Sequence, residues 1–124
     1  MKLVSDMQGL SDNLIKMFFK RHNHFVYVFW NEYEQVIYVG RTKNFLNRWR
    51  SHKKDSRFIS LYKVTVFAYE TESESMYSES QGIAHYRPVY NISGVKESKS
   101  RIRFNPLGTI KLKVEIQEQL KLEF

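Results

Sequence analysis

Two short apolar runs with only four polar residues between them constrain the fold of this chain more than any other feature. Residues 25–30 (FVYVFW) and 35–39 (QVIYV) are rich in β-branched and aromatic side chains, which is typical of strands. The connection at residues 31–34 is too short for the crossover that a parallel pair requires. The two runs therefore predict an antiparallel hairpin, and we expect its second strand to end at Gly40.

Further elements are expected on both sides of this hairpin. Residues 1–24 predict a lead-in helix, with Ser11 as a capping residue and apolar side chains at helical spacing. Residues 43–54 predict a second helix for the same reason of spacing. Residues 61–69 place Val64, Val66 and Ala68 on one face and predict a third strand.

The second half of the chain predicts one more helix and an extension. Thr71 and Glu74 have the spacing of a capping box, and the helix that they begin ends near Tyr86, because Pro88 prevents its continuation. Residues 109–116 alternate apolar and charged side chains, which favours a strand in the extension. The sum predicts an α+β fold, with a small three-stranded antiparallel sheet flanked by helices.

The composition suits one folded domain in a reducing compartment. The chain has 124 residues, 42% of them hydrophobic, which is enough for a core. It has no cysteine, which excludes disulfides, thiolate zinc sites and a cysteine nucleophile. The longest apolar run has six residues, too short to cross a membrane, and the first residues show no signal-peptide pattern. We therefore expect a cytoplasmic protein without a membrane partner.

The net charge of +7 is large for this length and is unevenly distributed. Residues 41–57 and residues 87–113 each hold seven basic residues and one acidic residue, whereas residues 70–79 hold four glutamates and no basic residue. A single basic run is usually solvated surface, but two runs with interleaved aromatic residues favour a partner with a phosphate backbone. The candidate nucleic-acid contacts are Arg41, Lys43, Arg50, Lys53, Lys54, Arg57, Arg87, Arg101 and Arg103.

Glu79 differs from the other glutamates of the acidic stretch. Its helical neighbours Met76, Ile83 and Tyr86 are apolar, so the spacing predicts a carboxylate on the side of the helix that faces the core. A carboxylate there must be paired or bound to a cation. An ion pair with an arginine and a bound metal ion account for this position equally well.

Arg48 and His52 are a second unusual pair. They lie four residues apart on the second predicted helix and share a face with Phe45. Such a pair forms either a buried polar network or an anion-binding site. A lone histidine is usually structural, but an arginine with a histidine in a basic chain favours phosphate chemistry.

The hairpin resembles the start of the GIY-YIG nuclease superfamily. Residues 25–27 (FVY) and 38–40 (YVG) stand where that family carries its two naming motifs, and Tyr27 and Tyr38 lie within its usual spacing. Phe25 departs from the pattern, because the family usually has glycine there. That departure concerns the packing of the backbone and leaves the tyrosine in place.

The later motifs follow in the order that the same family shows, so that the resemblance covers residues 25–92. Arg48 matches its invariant arginine, and His52 stands where the family has histidine or tyrosine. Glu79 and the stretch 85–91 (HYRPVYN), which ends in Asn91, are similar to the segment that carries the metal-binding glutamate and the terminal asparagine of excision-repair incision nucleases. The helix around Arg48 is more similar to homing endonucleases. In this family Asn91 would hold the active-site backbone in place.

The resemblance implies metal-dependent hydrolysis of phosphodiester bonds in DNA. Glu79 would be the sole protein ligand of one Mg²⁺ (or Mn²⁺) ion, and Arg48 would neutralise charge that develops on the phosphate. Tyr27 would deprotonate or orient the attacking water, and Tyr38 would orient the phosphate or the water. His52 could instead relay the proton, so the identity of the general base stays open.

We therefore expect a DNA endonuclease in one domain, residues 1–124. It would comprise a helical lead-in (1–24), a nuclease core (25–92) and a basic C-terminal extension (93–124). The alternatives are a non-catalytic nucleic-acid-binding module on the same scaffold and a structure-specific repair or RNA-acting nuclease. Double-strand cleavage with one active site per chain would need a homodimer or a larger oligomer.

Overall fold

The computed structural model describes residues 2–7, 9–91 and 105–115, and these residues form five strands, three α-helices and one 3₁₀ turn. In chain order the elements are β1 (Lys2–Ser5), α1 (Asp12–Arg21), β2 (His24–Asn31), β3 (Val36–Thr42), α2 (Phe45–His52), the 3₁₀ turn (Ser56–Phe58), β4 (Leu61–Tyr69), α3 (Glu72–Tyr86) and β5 (Gly108–Glu115). The predicted α+β class is confirmed.

The predicted hairpin forms the outer part of the sheet. β2 and β3 pair antiparallel, with Tyr27 opposite Gly40 and Phe25 opposite Thr42. The expectation that the second strand ends at Gly40 is wrong, because the pairing with β2 carries β3 on to Thr42. In the order β1-β5-β4-β2-β3, β3 lies at the edge of the sheet.

The sheet has five strands, so the expectation of three is wrong. β5 pairs antiparallel with β4, and β1 pairs antiparallel with β5. The helical lead-in is also shorter than expected, because residues 2–5 are a strand and the helix begins at Asp12, after the N-cap Ser11. β1 has only four residues and is held by a partner from the far end of the chain, so no local pattern predicts it.

The helices begin and end as capping chemistry requires. The N–H of Glu74 donates to the Thr71 hydroxyl over 3.1 Å at the start of α3. After Tyr86 the chain turns through Arg87, which has a left-handed φ of 46°. At the start of α2, Asn44 accepts from the N–H of Asn47. None of the helices in the described ranges has the length and apolarity that crossing a membrane demands.

The two faces of the sheet have different cores. The tyrosine face carries the buried side chains of Phe25, Tyr27 and Phe29, and α1 and α2 pack against it. The α3 face carries Val26 and Val28, and α3 packs there. Because β3 is the edge strand, side chains from both faces meet around it.

Candidate active site

Tyr27 lies at the centre of the candidate site and is fully buried. It belongs to β2, between β3 and β4, and its ring passes over Gly40 of the edge strand. A Cβ atom at Gly40 would lie 2.3 Å from both Cζ and Oη of Tyr27. The glycine of the second motif is therefore required by the space that the tyrosine of the first motif occupies.

The Tyr27 hydroxyl is hydrogen-bonded to His52, the last residue of α2. The distance from Tyr27 Oη to His52 Nε2 is 2.6 Å, and His52 is itself buried. Burial, reinforced by the positive charge of Arg48, lowers the pKa of His52 to about 4. The imidazole is therefore neutral at neutral pH, and its Nε2 can accept a hydrogen bond from the Tyr27 hydroxyl.

Arg48 and Tyr38 complete this cluster on its solvent side. Arg48 lies one turn before His52 on α2 and is exposed, and Tyr38 on β3 is half-buried. The Tyr38 ring centroid lies 6.0 Å from that of Tyr27 and 5.4 Å from that of His52. Burial raises the pKa of Tyr27, as does Tyr38, whereas Arg48 opposes this shift. Four predicted site residues from three elements are thus brought together.

Glu79 does not lie in this cluster but on α3, on the other face of the sheet. Its carboxylate is half-buried, and its Oε1 lies 3.8 Å from Nε of Arg41, whose Nη1 lies 3.4 Å from Glu72 Oε1. Burial raises the pKa of Glu79, and the opposing effect of Arg41 is smaller. The ion pair with an arginine is therefore present, and Arg41, expected to contact nucleic acid, lies beside two carboxylates.

The expected apolar stripe around Glu79 is wrong in part. Met76 and Tyr86 are 50% and 42% exposed, and of the three neighbours Ile83 packs against the core of the α3 face. The helix approaches the sheet through small residues instead. Ser75 is fully buried, and a Cβ atom at Gly82 would lie 3.3 Å from a methyl group of Val39. Hydrophobic periodicity does not reveal a contact face made of serine and glycine.

A divalent cation is compatible with Glu79. Carboxylate oxygens are the ligands that Mg²⁺ prefers, and this ion can take few of them because it keeps several waters. The carboxylate is half-buried and lies 3.8 Å from the guanidinium of Arg41, so a cation bound there would offset the burial that raises its pKa. No group of three or more metal-ligating side chains occurs within residues 2–7, 9–91 and 105–115. The site would thus be a single-carboxylate site completed by water and substrate.

Asn91 links the end of the α3 region to the edge strand. Its Oδ1 accepts from the Val39 N–H, and its Nδ2 donates to the Val39 carbonyl, each over 2.8 Å. The preceding residue, Tyr90, donates its N–H to the Ile37 carbonyl over 3.1 Å. These contacts are of the kind that the predicted positioning role of Asn91 requires.

The other predicted nucleic-acid contacts are placed differently. Lys43, Arg50, Lys53 and Lys54 are exposed on α2 or next to it, and Arg87 is exposed after α3. Arg57 is held by Asp55, with 2.7 Å between Nη2 and Oδ2. Arg101 and Arg103 lie outside the described residues.

Phe58 and Tyr90 also lie at the site, although neither was predicted as a site residue. Phe58 is fully buried, with ring centroids 5.1 Å from His52, 5.3 Å from Tyr38 and 5.6 Å from Tyr90. It belongs to the 3₁₀ turn that Asp55 caps by accepting from the N–H of Arg57. The aspartate before this short turn was the signal that could have predicted it.

We expect the stability of the protein to fall as the pH is lowered from 6.5 towards 4. The pKa of His52 is about 4 in the folded chain against 6.5 for an ordinary histidine, so the unfolded chain binds the proton more tightly. The contribution of His52 is complete above pH 6.5, and about 3 kcal/mol is lost as the pH falls through that interval. Urea unfolding at pH 7 and pH 4.5 measures it.

The control for this prediction is His52→Gln, which keeps a hydrogen-bonding group but cannot titrate. Its free energy of unfolding should depend less on pH than that of the wild type over the same interval. An equal dependence in both proteins would assign the effect to carboxylates and contradict the prediction.

The fold and the cluster define a class of protein. A small antiparallel sheet presents two tyrosines, an arginine and a histidine on one side of its edge hairpin and a glutamate on the other, with an asparagine bound to the edge strand. This is the arrangement that the motifs of the GIY-YIG nucleases imply. The family model that describes the UvrC-like GIY-YIG domain matches residues 23–92 of the sequence, which is more than half of the chain. The chain therefore belongs to this family.

Curated relatives agree with this membership. UvrABC system protein C of Dictyoglomus thermophilum is 34% identical over an alignment of 73 residues, and the match covers 54% of this chain and 12% of the relative. The proteins of the same name from Methanosphaera stadtmanae and Carboxydothermus hydrogenoformans are 34% and 36% identical over 84 residues, 60% of this chain and 14% of each relative. The predicted membership of the GIY-YIG superfamily is confirmed.

The similarity to these relatives is confined to one part of them. The chain spans between 12% and 14% of their length. No solved structure gives a significant match.

Proposed function

We propose that this chain is a DNA endonuclease that hydrolyses phosphodiester bonds with one divalent cation, Mg²⁺ or Mn²⁺. The observation that carries the proposal is the polar cluster on the tyrosine face. A buried tyrosine hydroxyl is hydrogen-bonded to a neutral histidine, beside an exposed arginine and a half-buried tyrosine. Membership of the UvrC-like GIY-YIG domain family supports the same reaction.

Burial distinguishes the roles of the two tyrosines. Tyr27 is fully buried and its hydroxyl is bound to His52, whereas Tyr38 is half-buried and faces the same space. A water molecule on a bound phosphate would therefore meet Tyr38 first. We assign Tyr38 to orient this water by a hydrogen bond, and Tyr27 with His52 to hold the cluster in place.

Arg48 supplies the positive charge that this chemistry needs. It is exposed and can reach a substrate phosphate, while its guanidinium interacts with both tyrosines. A guanidinium stabilises the negative charge that develops on the phosphate as the water attacks.

Glu79 would hold the cation, and the rest of its ligands would be water and phosphate oxygen. When bound, the ion would polarise the phosphate and stabilise the leaving 3′ oxygen. Glu79 and Arg41 lie on the α3 side of the edge strand, and the tyrosine cluster lies on the other side. A phosphate bound at the edge of β3 could be contacted from both sides, by the cation at Glu79 and by the tyrosine cluster.

DNA is the substrate that we assign, with the basic surface of α2 binding its backbone. Lys43, Arg50, Lys53 and Lys54 are exposed there and available for phosphates. Cleavage of both strands would need two chains, because each chain offers one such site. A non-catalytic module is less favoured, because the chain retains the two tyrosines, the arginine, the glutamate and the asparagine of the family motifs.

The test is cleavage of supercoiled plasmid by the purified chain. We expect nicked plasmid with Mg²⁺ or Mn²⁺ and none with EDTA, and cleavage should weaken steeply as salt is raised, because phosphate contacts carry the binding. Structured RNA and DNA containing bulky lesions are tested in parallel, to separate RNA-acting and repair-specific enzymes. The absence of metal-dependent cleavage of any of these substrates would contradict the proposal.

A further inference from the structure

Within residues 2–7, 9–91 and 105–115, α3 is the helix that packs on the α3 face of the sheet. α3 lies over β2 and β3, where Ile83 packs near Val26 and Val28. Farther along the same face, the register places Phe67 of β4 level with Val26 and Lys63 level with Trp30. Lys111 and Lys113 of β5 continue this face and are exposed. We call Trp30, Lys63, Phe67, Lys111 and Lys113 the open lysine surface.

A groove lined by aromatic, aliphatic and polar side chains runs along the border between α3 and this surface. Its volume is about 580 Å³, and the sheet valines, Trp30, Phe67 and Tyr86 are among its lining residues. Trp30 is fixed in place, since its Nε1–H donates to the Thr65 hydroxyl over 3.2 Å and its ring meets Tyr86 edge-on at 5.8 Å. The groove has the size and the aromatic lining that a planar ligand requires.

Cationic side chains lie directly beside this groove. Trp30 also lines a second cavity of about 380 Å³ together with Lys63, Lys111, Asp6 and Glu34. None of these lysines or acids forms an ion pair within the described part of the chain. Because Trp30 lines both cavities, the groove beside α3 and the lysine-lined cavity adjoin each other at this residue.

The placement of the lysines has a cost for folding. Lys63 lies directly opposite Lys113 on neighbouring strands, and like charges in that position are destabilising. On the same face of β5, Lys111 and Glu115 each lie two residues from Lys113, so Lys111 adds to this repulsion and Glu115 reduces it. An anionic ligand would remove this repulsion, which is the charge complementarity that a phosphate chain offers.

We propose that the open lysine surface is a second binding site, for a single-stranded segment of nucleic acid. Unpaired bases expose the flat faces that stack on aromatic side chains, whereas a duplex hides them. Lys63, Lys111 and Lys113 would bind the phosphates of that segment while a base enters the groove beside Trp30. The site lies on the face opposite the tyrosine cluster and does not depend on the nuclease activity.

The experiment measures binding without cleavage, in EDTA. A fluorescently labelled oligothymidine of about 12 nucleotides and a duplex of equal length are titrated with the protein, and anisotropy gives the dissociation constants. We expect the double variant Lys63→Ala/Lys113→Ala to bind the single strand about tenfold more weakly, with a salt slope lower by about 1.4. The matched control Lys16→Ala/Lys20→Ala removes two exposed charges from α1 and should bind like the wild type.

Trp30 gives an independent signal. Binding of the single strand should quench tryptophan fluorescence, and Trp30→Phe should abolish the quenching, since the other tryptophan, Trp49, is buried. Circular dichroism checks that each variant is folded, and the lysine variant should melt at or above the wild-type temperature. Quenching that persists in Trp30→Phe, or equal affinity of the lysine and control variants, would overturn the proposal.

Polyglutamate of equal charge is the competitor that separates a nucleic-acid site from a general anion site. We expect it to displace the oligothymidine only weakly, because it has no bases to stack on the aromatic lining. Displacement as efficient as that by unlabelled oligothymidine would overturn the assignment to nucleic acid. Because none of these measurements requires cleavage, failure of the nuclease assay leaves their outcome unaffected.

Discussion

Replacement of Arg48 by alanine should reduce plasmid nicking by a factor of about 10²–10³ while leaving the fold intact. The guanidinium is exposed on α2, so its loss creates no cavity, and the free energy of unfolding should change by about 0.5 kcal/mol or less. The lost rate reflects the charge that develops on the phosphate, which the guanidinium would neutralise. Single-turnover nicking at saturating DNA separates this loss from weaker binding.

Two further variants sharpen the result for Arg48. Arg48→Lys keeps the charge but not the planar fork, so it should recover only part of the rate. Arg21→Ala removes an exposed arginine from α1 and should nick at the wild-type rate. If Arg48→Ala and Arg21→Ala have equal effects, the assignment of Arg48 to the reaction is wrong.

Replacement of Glu79 by glutamine should cost a factor of about 10³ in rate, because several kcal/mol of transition-state stabilisation depend on the cation that this carboxylate would hold. The fold should be unaffected or slightly stabilised, since the change removes a half-buried charge whose pKa is already raised. Titration of the nicking rate with Mg²⁺ should show a higher concentration for half-maximal activity, or no response.

Glu72→Gln is the matched control for Glu79→Gln. Both carboxylates lie near Arg41, at 3.4 Å and 3.8 Å, but the side chain of Glu72 is the more exposed of the two. If Glu79 acts on the metal, Glu72→Gln should keep most of the activity. Equal losses in the two variants would show that both act through Arg41, and the metal assignment would fail.

The hairpin and the helix starts were predictable because their determinants are local. A four-residue connection permits only antiparallel pairing, and the hydroxyl of Thr71 caps α3 as its spacing with Glu74 indicates. The order of the motifs also placed Tyr27, Arg48 and His52 correctly on elements that the structure brings together. Helix capping residues and the local hydrophobic pattern thus predict most of the strands and helices that surround the site.

The missed features depend on contacts between distant parts of the chain. β1 is a strand only because β5 pairs with it. Glu79 was expected among apolar neighbours, but the contact face of α3 is defined by Ser75 and Gly82, which hydrophobicity does not mark. The full burial of Tyr27 follows from the space above Gly40, a cross-strand relation that neither motif contains alone.

The edge position of β3 has a consequence for the behaviour of the protein in concentrated solution. A bare edge strand is a template on which a strand of another molecule can add, and this begins aggregation. Tyr90 occupies the Ile37 carbonyl, and the amide of Asn91 occupies both the N–H and the carbonyl of Val39. The residues that follow α3 therefore also occupy the β3 edge, so that Asn91 opposes the addition of a foreign strand there.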